Sequence, residues 1–265
     1  MHLVGDHMSI QLRQICLVAE QLAPVIDDLT AILGINSCYV DPGVAKFGLE
    51  NNLMPVGRNF LEVVAPTQDN TAAGRYLQRR GGDGGYMVIT QIDTLNEHQR
   101  LRQRALDQGV RIAHEHSSDQ WYLSQLHPRD MQAAFLELEW NREEDFAGYW
   151  NPVGGLGWED KVQQQTTADF IGVELQSDDP VALANHWASV TDLSVDTETD
   201  DPTIEFNNAT LRFVTATDDR GPGLGGLDIR VNDRQSILQE AKKRNCYVND
   251  HQVDICGTRW YLHDS

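Results

Sequence analysis

Two stretches far apart in the chain open in the same way. "QICLVAEQLAPVIDDLTAILGI", from Gln14, and "FIGVELQSDDPVALANHWASVTDL", from Phe170, each pass from a short β-like run through a polar break with a proline into a helix-periodic segment. An internal repeat constrains the fold more tightly than any bulk property, because every copy has to build the same supersecondary unit. In the first helix Val25, Leu29, Ile32 and Leu33 fall on one face, and in the second Leu183, Trp187 and Val190 do. Related openings begin at Tyr86 ("YMVITQIDTLNEHQRLRQRALDQGVRI") and at Leu227 ("LDIRVNDRQSILQEAKKRNCYV"), which makes four.

Short strand candidates follow each opening and end in "FLEVVAP", "AFLELEW", "TLRFVTA" and "RWYLHDS". Each unit therefore reads as a strand, a helix and about three strands. One such unit is too small to bury its helix and a sheet face, whereas a pair can curl its sheet around a shared cleft. The expected fold is α+β: four βαβββ units forming two paired curled mixed β-sheets with helices outside. A first domain is expected over 10–147, a linker over 148–167 and a second domain over 168–265. The segment "FAGYWNPVGGLGWEDKVQQQT" at the junction is rich in glycine and aromatics and is expected to link or pack the halves. The glycines of "GGDGGY" (81–86) turn the chain between units; they lack the strand–turn–helix context of a phosphate loop.

Charge narrows the partners. Lys plus Arg is 21 against 40 Asp plus Glu, a net charge of −19, and a field of that sign repels nucleic acid and anionic membrane surfaces. No apolar run approaches the roughly 18 residues of a membrane span. The opening "MHLVGDHMSIQ" lacks a basic region followed by an apolar core, so it is not a secretion signal, and it is left out of the fold. Cys16, Cys38, Cys246 and Cys256 form neither a CxxC pair nor a dense framework, which points to reduced thiols in a cytoplasm and away from zinc. The expected partner is a small-molecule substrate, and the chain could be a monomer or a homodimer.

The stretch "LHPRDMQAAFLELEW" (126–140) carries the sharpest local signal. Pro128 disfavours helix before it, so a strand is expected after Asp130. In that strand Phe135, Glu137 and Glu139 share one face, with Leu136 and Leu138 on the other. Together with the fourfold βαβββ pattern, which covers nearly the whole chain, this stretch resembles the vicinal oxygen chelate superfamily, the glyoxalase, bleomycin-resistance and extradiol dioxygenase group. Its ending is similar to that of methylmalonyl-CoA epimerases.

The resemblance implies four cleft-facing positions in the first half: Gln14, Glu62, Tyr86 and Glu137. Gln14, Glu62 and Glu137 would be oxygen ligands for one divalent ion such as magnesium or manganese. Tyr86 stands where the family usually has histidine. A phenol with a pKa near 10 ligates weakly unless deprotonated, so Tyr86 either donates a hydrogen bond to a substrate oxygen or fills the cleft. The corresponding residues of the second half read as Phe170, Arg212, Leu227 and Tyr261, which leaves the first half as the only candidate metal site. The implied function is a glyoxalase-like enzyme acting on a small oxygen-rich substrate, an isomerase or lyase, with Glu62, Glu137 and Tyr86 as its catalytic groups. The alternative is a non-catalytic sequestration protein of the bleomycin-resistance type. Ring cleavage fits least, because relatives of that kind use two histidines and one glutamate.

Asn51 and Asn52 either read substrate oxygens from the cleft wall or form a turn. His127 is a further candidate for substrate contact, or orders the turn before the last strand. His114 and His116 share a strand face and could be two metal ligands, although the polar run after them suggests an exposed loop instead. Glu50 is a possible base that the spacing does not match to a family position. The basic end of "GRYLQRR" (74–80) suits its own helix C-terminus.

Overall fold

The computed structural model describes residues 10–265; the opening set apart from the fold in the sequence lies, over residues 1–9, outside the described residues. The first unit comprises β1 (Ile10–Val18), α1 (Leu22–Leu33), β2 (Leu49–Val56) and β3 (Asn59–Pro66). A connecting helix, α2 (Ala72–Arg80), leads into the second unit: β4 (Gly84–Ile92), α3 (Leu95–Asp107), β5 (Ile112–Ser117), β6 (Trp121–Leu126), α4 (Pro128–Met131) and β7 (Phe135–Asn141). The third runs through β8 (Thr167–Ser177), α5 (Pro180–Thr191), β9 (Val195–Asp196), β10 (Thr203–Glu205) and β11 (Thr210–Thr215). The fourth is β12 (Gly223–Val231), α6 (Arg234–Lys243), β13 (Tyr247–Asn249), β14 (Gln252–Ile255) and β15 (Thr258–Asp264).

The units pair into a seven-stranded sheet, β2-β3-β1-β4-β7-β6-β5, and an eight-stranded sheet, β13-β14-β15-β12-β8-β11-β10-β9. In each sheet the first strands of two units meet antiparallel, β1 with β4 and β8 with β12, and each is parallel to the last strand of its own unit. The sheets are mixed, do not close into barrels and carry their helices outside, which is the expected α+β architecture. One strand is nearly lost. In the first unit the strand due after α1 is reduced to the bridge Tyr39↔Leu53, because Pro42 opens a 3-10 turn over Pro42–Phe47. Proline has no N–H for a ladder and fits a helical first turn.

Local sequence explains the helices. Val25, Leu29, Ile32 and Leu33 form the buried stripe of α1, and Gly34 ends it in the left-handed conformation at φ 69°. Helix α5 starts on Asp179, whose side chain accepts from the Ala182 N–H at 2.9 Å, and buries Leu183, Trp187 and Val190. The helical sides of both sheets share one continuous apolar core. The halves also touch strand to strand at β4 and β12, where a Cβ on Gly85 would lie 2.3 Å from Leu224 Cγ. Only glycine fits there.

The stretch after Leu126 departs from the simple strand expected after Asp130. Pro128–Met131 makes a single helical turn capped by His127, with proline at its first position, and the strand starts at Phe135. Its parity is as read: Leu136 and Leu138 lie in the core, and Glu137 faces the other way.

Candidate functional site

The concave side of the first sheet holds a cleft of about 440 Å³ lined by Gln14, Glu62, Met87, Ile89, Gln125 and Glu137, among others. Strand pairing explains which side chains meet there. Cys16 is in register with Glu62 and Ile89 with Glu137, while Gln14 pairs with Ile89 and Cys16 with Met87. Exchanging the two units maps each of these pairs onto the other. Glu62 therefore corresponds to Glu137, and Gln14 to Met87. Tyr86 falls at the irregularity between Cys16 and Leu17 in the β1–β4 register. Its ring packs edge-on between Tyr76 and Phe135, at 4.9 and 5.0 Å, and does not line the cleft.

Glu62 is held from both sides. Asn51 Nδ2 donates to its Oε1 at 2.7 Å and Gln14 Nε2 to its Oε2 at 3.0 Å. Neither amide is free to turn over. Gln14 Oε1 accepts from the Trp150 indole N–H at 2.9 Å, and Asn51 Oδ1 accepts from the Asp41 backbone N–H at 3.0 Å. Both of those groups can only donate, so each amide must present its NH2 to the carboxylate. Burial pushes the Glu62 carboxyl up to about 7, the Asn51 bond pulls it down and nearby Glu137 adds to the rise. Glu137 lies on β7 with Glu139 two residues on, on the same side, and burial raises both. Glu139 is wholly buried; its Oε1 accepts from Asn141 Nδ2 at 3.0 Å, and its carboxyl also meets Glu137 and the Trp121 indole N–H.

The junction between the halves forms one wall. Trp150 and Trp158 are buried beside the cleft, and Tyr149, Asn151, Pro152 and Gly154 line it. Arg13 lies under this strap, its guanidinium donating to the backbone oxygens of Phe146 and Gly148 and stacked near the rings of Phe60 and Trp150. Burial lowers its pKa to about 10. The opposite rim comes from the 3-10 turn, where Phe47 meets His114 edge-on at 5.3 Å.

The other sequence candidates scatter. Asn52 points to the opposite side of β2, into a surface groove against α1 that it shares with Glu50. His127 accepts from the Arg129 N–H at 3.2 Å as the cap of its helical turn and does not line the cleft. His114 and His116 belong to strand β5 rather than to a loop, with His114 at the rim and His116 packed on Trp121. Trp121, Gln125 and Trp150 are not among the sequence candidates. Parity alone had put Glu139 beside Glu137, but nothing in the sequence marked β6 or the junction as cleft wall.

In the second half the equivalent positions, by the same register argument, are Gly172, Arg212, Gly226 and Tyr261. Phe170 and Leu227 belong instead to the core. Glu174 fills that cleft, paired with Arg212 at 2.5 Å and Arg259 at 2.7 Å and accepting from Tyr261 Oη at 3.2 Å.

A divalent ion fits the first cleft poorly. Both Glu62 oxygens accept from amides, Gln14 turns its own oxygen to Trp150, and the fourth position offers the thioether of Met87. Hard cations select oxygen ligands. Among the described residues no three His, Cys, Asp or Glu side chains are grouped to hold a metal.

No family model matches the chain, and no curated protein matches it. Solved structures do. A hypothetical protein from Staphylococcus aureus matches over 97% of this chain and 100% of its own, with a TM-score of 0.64 at 12% identity. A mutant of 4-hydroxymandelate synthase from Streptomyces coelicolor matches over 91% of this chain and 76% of its own, with a TM-score of 0.63 at 14% identity. A methylmalonyl-CoA epimerase in complex with methylmalonyl-CoA covers 52% of this chain and 98% of its own, with a TM-score of 0.44 at 16% identity. At these identities the likeness is one of fold. The chain shares its fold with the first two of these structures and has two paired-unit sheets in one polypeptide.

Proposed function

We propose that this chain is an enzyme of the vicinal oxygen chelate fold that moves a proton on a small oxygen-bearing substrate, as an isomerase or a lyase. Glu62 takes the proton, and Glu137 faces the same substrate from the last strand of the partner unit. The observation that carries this reading is the clamped carboxylate: two amides of enforced orientation hold Glu62 in place, and burial brings it to about 7. A base poised near neutral pH is what proton abstraction needs. The amides favour the ionised form that burial opposes, and they leave lone pairs directed at the cleft. No step here passes through a metal.

The cleft volume suits a small molecule. The net charge of −19 argues against a nucleic-acid or anionic-membrane partner, and among the described residues no helix is long and apolar enough to cross a membrane. Four free cysteines are compatible with a reducing, cytoplasmic setting. The competing reading is sequestration without turnover, favoured by the rings of Tyr39, Phe47, Trp121 and Tyr149 around the opening.

One experiment separates them. A panel of small hydroxy and oxo compounds is incubated with the protein in D2O, and loss of carbon-bound proton signals is followed by NMR. Exchange on a bound compound that falls at least about 100-fold in Glu62→Gln, with binding retained, supports the enzyme. Binding without exchange leaves the sequestration reading.

A further inference from the structure

A histidine stands on the apolar face of α3. The buried stripe of that helix is His98, Leu101 and Ala105, and His98 is 2% exposed. Its Nε2 meets the backbone carbonyl oxygen of Leu138 on β7 at 3.2 Å. A carbonyl only accepts, so Nε2 carries the proton, and burial keeps the ring neutral by pushing its pKa down to about 4. Nδ1 is therefore an unprotonated acceptor. It is buried and has no hydrogen-bond partner. Buried polar atoms are seldom left so, and an apolar side chain at this position would avoid the cost.

The same histidine lines a pocket of about 390 Å³ formed by α3 and the β5–β6 edge of the first sheet. This pocket is not the candidate active cleft. Along β6, Trp121 and Gln125 line that cleft, whereas Tyr122 and Ser124 line this pocket, as the alternation of a strand requires. The Tyr122 ring meets His98 edge-on at 6.0 Å. Arg102 and Glu115 also line the pocket and balance each other's charge: Arg102 Nε and Nη2 both donate to Glu115 Oε2, at 3.0 and 2.8 Å. Among the described residues Arg102 Nη1 and Glu115 Oε1 keep their hydrogen-bonding capacity free. A charged ligand would compete with that pair. A hydroxyl group both donates and accepts, so hydroxyls match the His98 lone pair, the free guanidinium N–H and the free carboxylate oxygen.

We propose that this second pocket binds a small neutral polyhydroxyl compound, a polyol or a sugar, with one hydroxyl donating to His98 Nδ1 and others engaging Arg102 and Glu115. The pocket has room for far more than one water, whose share of liquid volume is roughly 30 Å³. The proposal does not depend on the proton-transfer reading of the first cleft, and either can fail alone.

The test follows the ring nitrogens of His98 by NMR in the full chain, isotopically labelled at its histidine nitrogens, at neutral pH. The probes are glycerol, D-glucose and myo-inositol, with dimethoxyethane as an ether that accepts hydrogen bonds and cannot donate one. Without a probe, Nδ1 is expected to resonate as an unprotonated nitrogen free of hydrogen bonding. At least one polyol should move that signal upfield in a saturable way, and the ether should leave it in place. His98→Phe identifies the signal and should abolish polyol binding in calorimetry. Glu115 is 53% exposed in its side chain, so Glu115→Ala keeps the test alive should the histidine variant not fold; its polyol affinity should fall at least about tenfold. Any of four results overturns the proposal: no saturable shift with any of the three polyols, an equal shift with the ether, unchanged affinity in Glu115→Ala, or an Nδ1 already hydrogen-bonded before any probe is added, which would make a trapped water its partner.

Discussion

Trp150 donates its indole N–H to the amide oxygen of Gln14 at 2.9 Å, and that bond decides how Gln14 meets Glu62. A residue from the junction between the sheets thus orients a base on β3. Trp150→Phe keeps most of the ring packing but leaves a buried amide oxygen without its donor. The expected cost is about 1–3 kcal/mol of stability, read by urea denaturation. The amide, no longer constrained, can also turn its oxygen toward Glu62, so any Glu62-dependent proton exchange should fall as well. A Trp150→Phe protein with unchanged stability and exchange would show that the bond positions nothing.

The pH dependence of stability has a definite sign. Glu62 rises from its ordinary 4.5 to about 7, chiefly through burial. Between those values the folded state holds a proton that the unfolded state has released, so stability declines as pH rises through the window. The full effect is on the order of 3 kcal/mol. Burial raises Glu137 and Glu139 in the same direction. Denaturation midpoints from pH 4.5 to 8 should therefore fall with pH, and Glu62→Gln should flatten the slope. Exchange activity should run oppositely and rise toward pH 7 and above, because the ionised base does the work.

Met87 occupies the position related to Gln14 by exchange of the units, and its thioether is the weakest donor there for a hard ion. Met87→His would place an imidazole beside Glu62 and Glu137. That variant should bind Mn2+ at least about tenfold more tightly than the parent, as read by the loss of free-ion signal in electron paramagnetic resonance. Stoichiometric Mn2+ binding by the parent chain, lost in both Glu62→Ala and Glu137→Ala, would count against the poor fit described above.

The fold was more legible than the site. The helix stripes of α1 and α5 follow directly from apolar spacing, and four copies of one pattern allow little but paired sheets. Parity placed Glu62 and Glu137, since each lies in a short alternating strand. It placed Tyr86 one residue from Met87, because the irregularity in the β1–β4 register shifts the count, and irregularities leave no mark in periodicity. Phe170 failed for a related reason: between Phe170 and Gly172 the β8 register slips against β12. The strap was invisible for a different cause. Trp150 is recruited by tertiary contact with Gln14, 136 residues away in sequence, and only the folded chain brings them together.

The second cleft offers a last comparison. Glu174 is buried, and its charge is balanced by Arg212 and Arg259, with Arg259 also donating to Gln176 at 2.5 Å. Removing one partner leaves part of a buried charge exposed to a low-dielectric interior, which costs about 3–5 kcal/mol where the pair is fully enclosed. Arg259 retains 20% side-chain exposure, so the lower end of that range is expected for Arg259→Met. Replacing Glu174 and Arg259 together with methionines should recover much of the loss, because the penalty belongs to a carboxylate left with Arg212 as its one cationic partner rather than to the missing attraction, and Arg212 keeps Asp228. Denaturation of the single and double variants measures both quantities. Ligand binding in the first cleft should be unchanged in each folded variant, since these residues lie on the other sheet. A double variant as unstable as Arg259→Met would mean that Glu174 does more there than balance charge.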